Sequence, residues 1–89
     1  MLDRVLTRHP RVALRPEPFG ALAYHYDNRK LIFLRHPDLL TVVRSLDGRR
    51  TVAELLDAAG VAPSRRPSFV AALQSLLDSE MLDEPAIAR

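Results

Sequence analysis

Eighty-nine residues with a formal net charge of +2 and a 47% hydrophobic content describe one folded domain rather than a disordered chain. The chain has no cysteine, which excludes a disulfide scaffold, thiol catalysis, thiolate zinc sites and iron–sulfur ligation. The charge is too small to argue for nucleic acid by itself, no stretch has the length of a membrane span, and residues 1–10 lack the apolar core of a signal peptide.

Residues 1–10 carry little pattern. Met1, Leu2, Val5 and Leu6 suggest a helical turn that His9-Pro10 would end, so this segment is expected to be a flexible N-terminal arm. Arg11 to Arg15 alternates at period two and predicts a first strand. Pro16-Glu17-Pro18 then predicts a turn. Phe19 to Tyr26 predicts a second strand, and Asp27-Asn28 a two-residue hairpin loop. That loop pairs Tyr26 with Arg29, Tyr24 with Leu31 and Leu22 with Phe33. One face then carries Leu22, Tyr24, Tyr26, Leu31 and Phe33, and the other Ala21, Ala23, His25, Lys30, Ile32 and Leu34.

His36-Pro37-Asp38 opens the first helix, with Leu39, Val42, Val43 and Leu46 as its buried stripe. Asp47-Gly48 ends it. A short turn over residues 47–50 then joins it to a second helix as a helix-turn-helix pair. Thr51 and Glu54 form a capping box at the start of that helix, whose stripe is Val52, Leu55, Leu56 and Ala59. A turn over residues 62–67 leads to a third helix with Phe69, Val70, Leu73, Leu76 and Leu77 on its apolar face. Met81-Leu82 should fold back on the core, and residues 84–89 should form a frayed tail. The order is three strands and then three helices: an α+β domain over residues 11–83, with a three-stranded antiparallel sheet.

The stretch Lys30-Leu31-Ile32-Phe33-Leu34-Arg35 is the best lead to function. It is an apolar strand at the end of a meander, so one of its edges has no partner. Such an edge aggregates unless something covers it. An extended peptide could add to it, with main-chain hydrogen bonds supplying affinity and side-chain pockets supplying specificity. Lys30 and Arg35 could equally be simple gatekeepers against aggregation.

The stretch from Arg11 to Leu82 resembles the leader-recognition peptide chaperones of ribosomally made, modified peptides. These are small winged-helix-turn-helix-like domains typified by the pyrroloquinoline quinone pathway. The likeness is carried by the apolar strand before a helix, by the run from Leu46-Asp47-Gly48 through Thr51-Val52-Ala53-Glu54-Leu55, and by the amphipathic third helix ending near Met81-Leu82. The segments Arg11 to Leu22 and Tyr24-His25-Tyr26 resemble the front end of the mycofactocin biosynthesis chaperone family. Glu80 departs from the pattern, which has a glycine before the terminal apolar pair.

The resemblance implies a cytoplasmic peptide-binding chaperone without a cofactor. Its partners would be the leader of a precursor peptide and a radical S-adenosylmethionine maturase, which decarboxylates and cross-links a C-terminal Val-Tyr pair. It also implies a groove between the third strand and the third helix. Candidate peptide-binding residues are therefore Lys30, Leu31, Ile32, Phe33, Leu34 and Arg35 on the strand. Phe69, Val70 and Leu73 are candidates on the helix, with Leu73 and Leu77 better suited to the core. Arg35, Arg65 and Arg66 could pair with acidic leader residues, or be solvated surface cations. Tyr24 and Tyr26 could flank a peptide or a maturase surface.

A DNA-binding winged helix is the main rival. The third helix weighs against it, since Ser68, Gln74, Ser75, Asp78 and Glu80 make no basic face behind Arg65 and Arg66. Catalysis is not expected. His9, His25 and His36 lack metal-ligand spacing with carboxylates, and Gly20, Gly48 and Gly60 form no phosphate loop. Pairing of two strand edges into a homodimer is a further alternative.

Overall fold

A computed structural model describes residues 1–18 and 20–84. The expected strand start at Phe19 and residues 85–89 of the expected tail over 84–89 lie outside these, while Glu84, the first residue of that tail, is held by Arg4 at 3.1 Å. Among the described residues the fold is mixed α+β, with three helices and six strands in two small antiparallel sheets. The elements in chain order are β1 (Val5–Arg8), β2 (Val12–Glu17), β3 (Gly20–His25), β4 (Leu31–Leu34), α1 (Pro37–Ser45), β5 (Asp47–Thr51), α2 (Val52–Ala58), α3 (Arg66–Asp78) and β6 (Leu82–Asp83), with a 3-10 turn at Pro63–Arg65 before α3. No helix of the described residues is long and apolar enough to cross a membrane.

The sheet β2-β3-β4 is the one expected from the sequence. Leu22 faces Phe33 and Tyr24 faces Leu31, as the hairpin reading requires. Ala21, Ala23, His25 and Leu34 are buried on one face, while Tyr26, Leu31 and Phe33 are exposed. The loop, however, has four residues rather than two. The His25 N–H donates to the Lys30 carbonyl, the Arg29 N–H donates to the His25 carbonyl, and Arg29 is left-handed at φ 60°. Two residues added symmetrically leave the register of the strands unchanged.

Pro16 and Glu17, expected in a turn, instead extend β2. The Tyr26 N–H donates to the Arg11 carbonyl. Alternation from that pair places Pro16 where its missing donor faces the open side of an edge strand. Gly20 allows close strand approach, since a Cβ there would sit 1.9 Å from the Leu34 carbonyl oxygen.

The second sheet corrects the sequence reading. Its order is β5-β1-β6. Residues 5–8, expected within a flexible arm, form its central strand, and Leu6 is fully buried. The residues expected as a bare helix-helix turn form β5. No apolar alternation marks β5, because its order comes from pairing with β1 and from Asp47. The Asp47 Oδ1 accepts the N–H groups of Arg49 and Arg50 at 2.9 and 3.0 Å, and its Oδ2 accepts the Arg50 Nε–H. The Val52 and Ala53 N–H groups then donate to the carbonyls of Arg4 and Leu2, tying the start of α2 to the N-terminal segment.

The helices follow the expected stripes. Leu39, Val42, Val43 and Leu46 of the α1 segment are buried, as are Val52, Leu55 and Leu56 of α2, whereas Ala59 is exposed. Both hydrogen bonds of the Thr51–Glu54 capping box are present. Met81 and Leu82 close the core from the C-terminal side. The turn before them places Glu80 at φ 64°, a left-handed conformation that glycine adopts without a steric penalty.

Two outcomes follow from these local geometries. Glu80→Gly should stabilise the domain by about 1 kcal/mol in urea unfolding, since the exposed side chain is in no ion pair among the described residues. The Asp47 carboxyl lies at about 2, below its ordinary 3.8, held down first by the Arg50 N–H, then by that of Arg49 and by the Arg50 guanidinium. A depressed carboxyl stabilises the fold above its unfolded value and loses that contribution as pH falls from 3.8 through about 2. Asp47→Asn should therefore flatten the fall in urea midpoint across that window.

Candidate functional site

Strand β4 has β3 on one side and no strand on the other among the described residues. The hydrogen bond from His25 N–H to Lys30 C=O sets the phase of the ladder. One step along, the Tyr24–Leu31 pair falls at a non-hydrogen-bonded position, so the main-chain N–H and C=O of Leu31 point to the open edge. The Leu34 carbonyl points the other way, toward β3, where it meets Gly20. The four apolar residues of β4 are thus divided between the existing ladder and the open edge.

Beside that edge lies a groove of about 280 Å³. Ile32, Phe33, Leu34, Arg35 and His36 line one wall. Ser68, Phe69, Ala72, Ser75 and Leu76 of α3 line the other, and Leu39 of α1 joins them. The α3 wall arises from helical spacing: residues 68, 72 and 75 lie on one stripe, and all three are small. Large side chains flank that stripe, so the groove is open between an apolar floor and a polar lip.

The structure separates the candidate residues read from the sequence. Ile32, Phe33, Leu34, Arg35 and Phe69 line the groove. Lys30 and Leu31 do not line it, and the exposed Leu31 side chain lies with Tyr24 on the outer sheet face. Leu73 is fully buried in the core and Leu77 packs against it. Val70 lines a different, more open concavity with Met1, Leu2, Pro63, Arg66 and Pro67. His36, Leu39, Ser68, Ala72, Ser75 and Leu76 line the groove without having been singled out as site residues. The helical spacing of 68, 72 and 75 was legible, but small residues carry no hydrophobic signal.

The three arginines also part company. Arg35 is exposed and in no ion pair among the described residues. Arg65 is held by Asp38 at 2.9 Å, with its guanidinium 5.2 Å from the centre of the Phe69 ring. Arg66 hydrogen-bonds to Asp57 of α2. Gln74, the one base-reading candidate on α3, donates to Asp78 at 2.9 Å. The side chains on which the DNA reading relied therefore have protein partners. No group of three His, Cys, Asp or Glu among the described residues could hold a metal ion.

The Peptide chaperone MftB family matches residues 6–83. The chain belongs to that family. It is 48% identical over 80 residues to the peptide chaperone MftB of Mycobacterium ulcerans (strain Agy99), covering 90% of this chain and 73% of that protein. It is 46% identical to the peptide chaperone MftB of Mycolicibacterium smegmatis (strain ATCC 700084 / mc(2)155), over 83% of this chain and 72% of the relative. Against the peptide chaperone MftB of Mycobacterium tuberculosis (strain ATCC 25618 / H37Rv) the identity is 42%, over 90% of this chain and 73% of the relative. No solved structure matches the chain. The chain is thus a member of a non-catalytic peptide-chaperone family of mycofactocin biosynthesis, in agreement with the resemblance and with the expectation that it is not an enzyme.

Core and groove wall are separable by mutation. Leu73→Ala should cost about 2–5 kcal/mol of unfolding free energy. Ser75→Ala, on the groove lip, should stay within about 0.5 kcal/mol. Urea denaturation followed by circular dichroism checks both.

Proposed function

We propose that this chain binds the leader of a ribosomally made precursor peptide as an added strand on β4. In this reading it delivers the peptide, in the cytoplasm, to a radical S-adenosylmethionine maturase of mycofactocin biosynthesis. The observation that carries the reading is the groove between the open edge of β4 and α3. The domain then acts as a winged-helix-like recognition module in which α3 walls the groove and β4 supplies the pairing edge.

Binding draws on three kinds of contact. Each main-chain hydrogen bond made to the open edge contributes on the order of 1 kcal/mol net. Alternate side chains of an added strand point into the groove, where Phe69, Leu39 and Leu76 offer apolar surface. Arg35, at the end of β4, can attract a leader carboxylate, whereas the guanidinium of Arg65 is already engaged by Asp38. Radical chemistry belongs to the maturase in this reading. The chaperone holds one segment of the peptide extended and leaves the remainder accessible. An edge-paired homodimer would use the same main-chain groups, so dimerisation and peptide binding exclude one another.

The phase of the ladder selects the test. Leu31→Pro removes a donor from the open edge while leaving the β3–β4 hydrogen bonds in place. It should weaken binding of a synthetic precursor peptide by about tenfold in isothermal titration calorimetry. Ser75→Trp fills the groove from an exposed position and should abolish detectable binding. Both variants should retain the wild-type circular dichroism spectrum. Wild-type affinity in both folded variants would refute augmentation at this edge.

A further inference from the structure

Most of the face of the β2-β3-β4 sheet turned away from the core lies outside the groove, which Phe33 alone of its large apolar side chains borders. Cross-strand pairing brings Leu22 beside Phe33 and Tyr24 beside Leu31. Tyr26 packs edge-on to Tyr24 with ring centroids 5.2 Å apart and an interplanar angle of 84°. Tyr26, Leu31 and Phe33 are 55%, 59% and 42% exposed, against the full burial of Ala21 on the opposite face. Large apolar side chains gathered on one exposed sheet face are uncommon on a monomer with nothing to bind.

The surrounding charges say what kind of partner fits. The Arg11 guanidinium lies 5.8 Å from the Tyr26 ring centre and is paired to Asp27. Arg15 sits on the same face beside Leu22, with Glu17 at 3.9 Å. Arg29, at the end of the loop, and Arg35, after β4, are exposed and in no ion pair among the described residues. The patch is thus aromatic and aliphatic at its centre and cationic around it, a composition enriched at protein interfaces. A second copy of the chain would set one cationic border against another. Carboxylates around an apolar patch on a different protein would match it.

We infer that this outer sheet face, centred on Tyr24, Tyr26 and Leu31, is a second docking surface, for a folded protein with an apolar patch bordered by carboxylates. The partner is the maturase that receives the peptide, an assignment that rests on the delivery reading above. The geometry links the two surfaces. A peptide added to β4 extends the same sheet, so every other side chain of the bound segment lies on the outer face beside β4. The docking partner then meets the chaperone and its peptide as one continuous surface.

The test uses the full chain, the purified radical S-adenosylmethionine maturase and the synthetic precursor peptide. Tyr26→Ala and Arg29→Glu each alter the outer face and leave the groove untouched. Each should weaken maturase binding by about tenfold in biolayer interferometry while peptide affinity stays within about twofold. Amide shifts in the labelled wild-type chain on adding the maturase should fall on Tyr24, Tyr26 and Leu31, a result independent of any variant's folding. Unchanged maturase affinity in both variants, or shifts that avoid this face, would overturn the proposal. So would sedimentation in which the face mediates self-association, or shifts there produced by single-stranded RNA in place of the maturase. If the wild type binds peptide but not the maturase, the delivery reading fails together with this assignment. If it binds the maturase through another surface, only the assignment fails.

Discussion

The register between β3 and β4 depends on the imidazole of His25. His25 is only 3% exposed, and its Nδ1 accepts the N–H groups of Asp27 and Asn28 at 3.1 and 3.4 Å. The Asn28 side chain adds a bond from the Lys30 N–H to its Oδ1 at 2.9 Å. Together these close the four-residue loop and set which residue of β4 faces which residue of β3. A slip of β4 by one residue would turn Leu34 out of the core and bring Leu31 and Phe33 in. The same register decides which main-chain groups of β4 are used in the ladder and which face outward. Core, open edge and outer apolar face are therefore consequences of one loop. His9 packs against His25 with ring centroids 4.5 Å apart, so the segment after β1 also supports that loop.

The second sheet explains how so small a chain keeps α3 in place opposite β4. β1 lies between β5 and β6, so residues near both ends of the described chain share one ladder. The His9 N–H donates to the Met81 carbonyl, and Met81 is buried just after the exit of α3. The fully buried Leu6 joins the same core as Leu73 and Leu76 of α3. Movement of α3 away from β4 would have to break this closure. The groove is consequently bounded by the β2-β3-β4 sheet and by one helix tied down at its C-terminal end, while Asp38 and Arg65 link α1 to the approach of its N-terminal end.

Much of this was legible in the chain because apolar periodicity is strong where burial is one-sided. The hairpin faces, the α1 stripe and the Thr51–Glu54 capping box all follow from spacing and short-range chemistry. β5 was not legible, since Asp47-Gly48-Arg49-Arg50-Thr51 has no apolar alternation and becomes a strand only through its pairing with β1. β1 was misread for a related reason: Met1, Leu2, Val5 and Leu6 also fit a helical spacing, and only the long-range partners β5 and β6 decide between the two. At the groove, the apolar strand was visible in the sequence, but the Ser68, Ala72 and Ser75 lip was not. The separate destinations of Arg35, Arg65 and Arg66 depend on Asp38 and Asp57, which are remote in sequence and unremarkable as residues.

The central claim is that an extended peptide pairs with the open edge of β4 alongside α3. The most direct measurement is an amide NMR titration of the labelled chain with the synthetic precursor peptide, followed by cross-strand nuclear Overhauser effects. The account predicts shifts concentrated at Leu31 to Arg35 and at Phe69 to Leu76, with contacts from the peptide main chain to Leu31. Shifts that avoid β4, or a response only to duplex DNA centred on Arg65 to Gln74 and lost with salt, would contradict it.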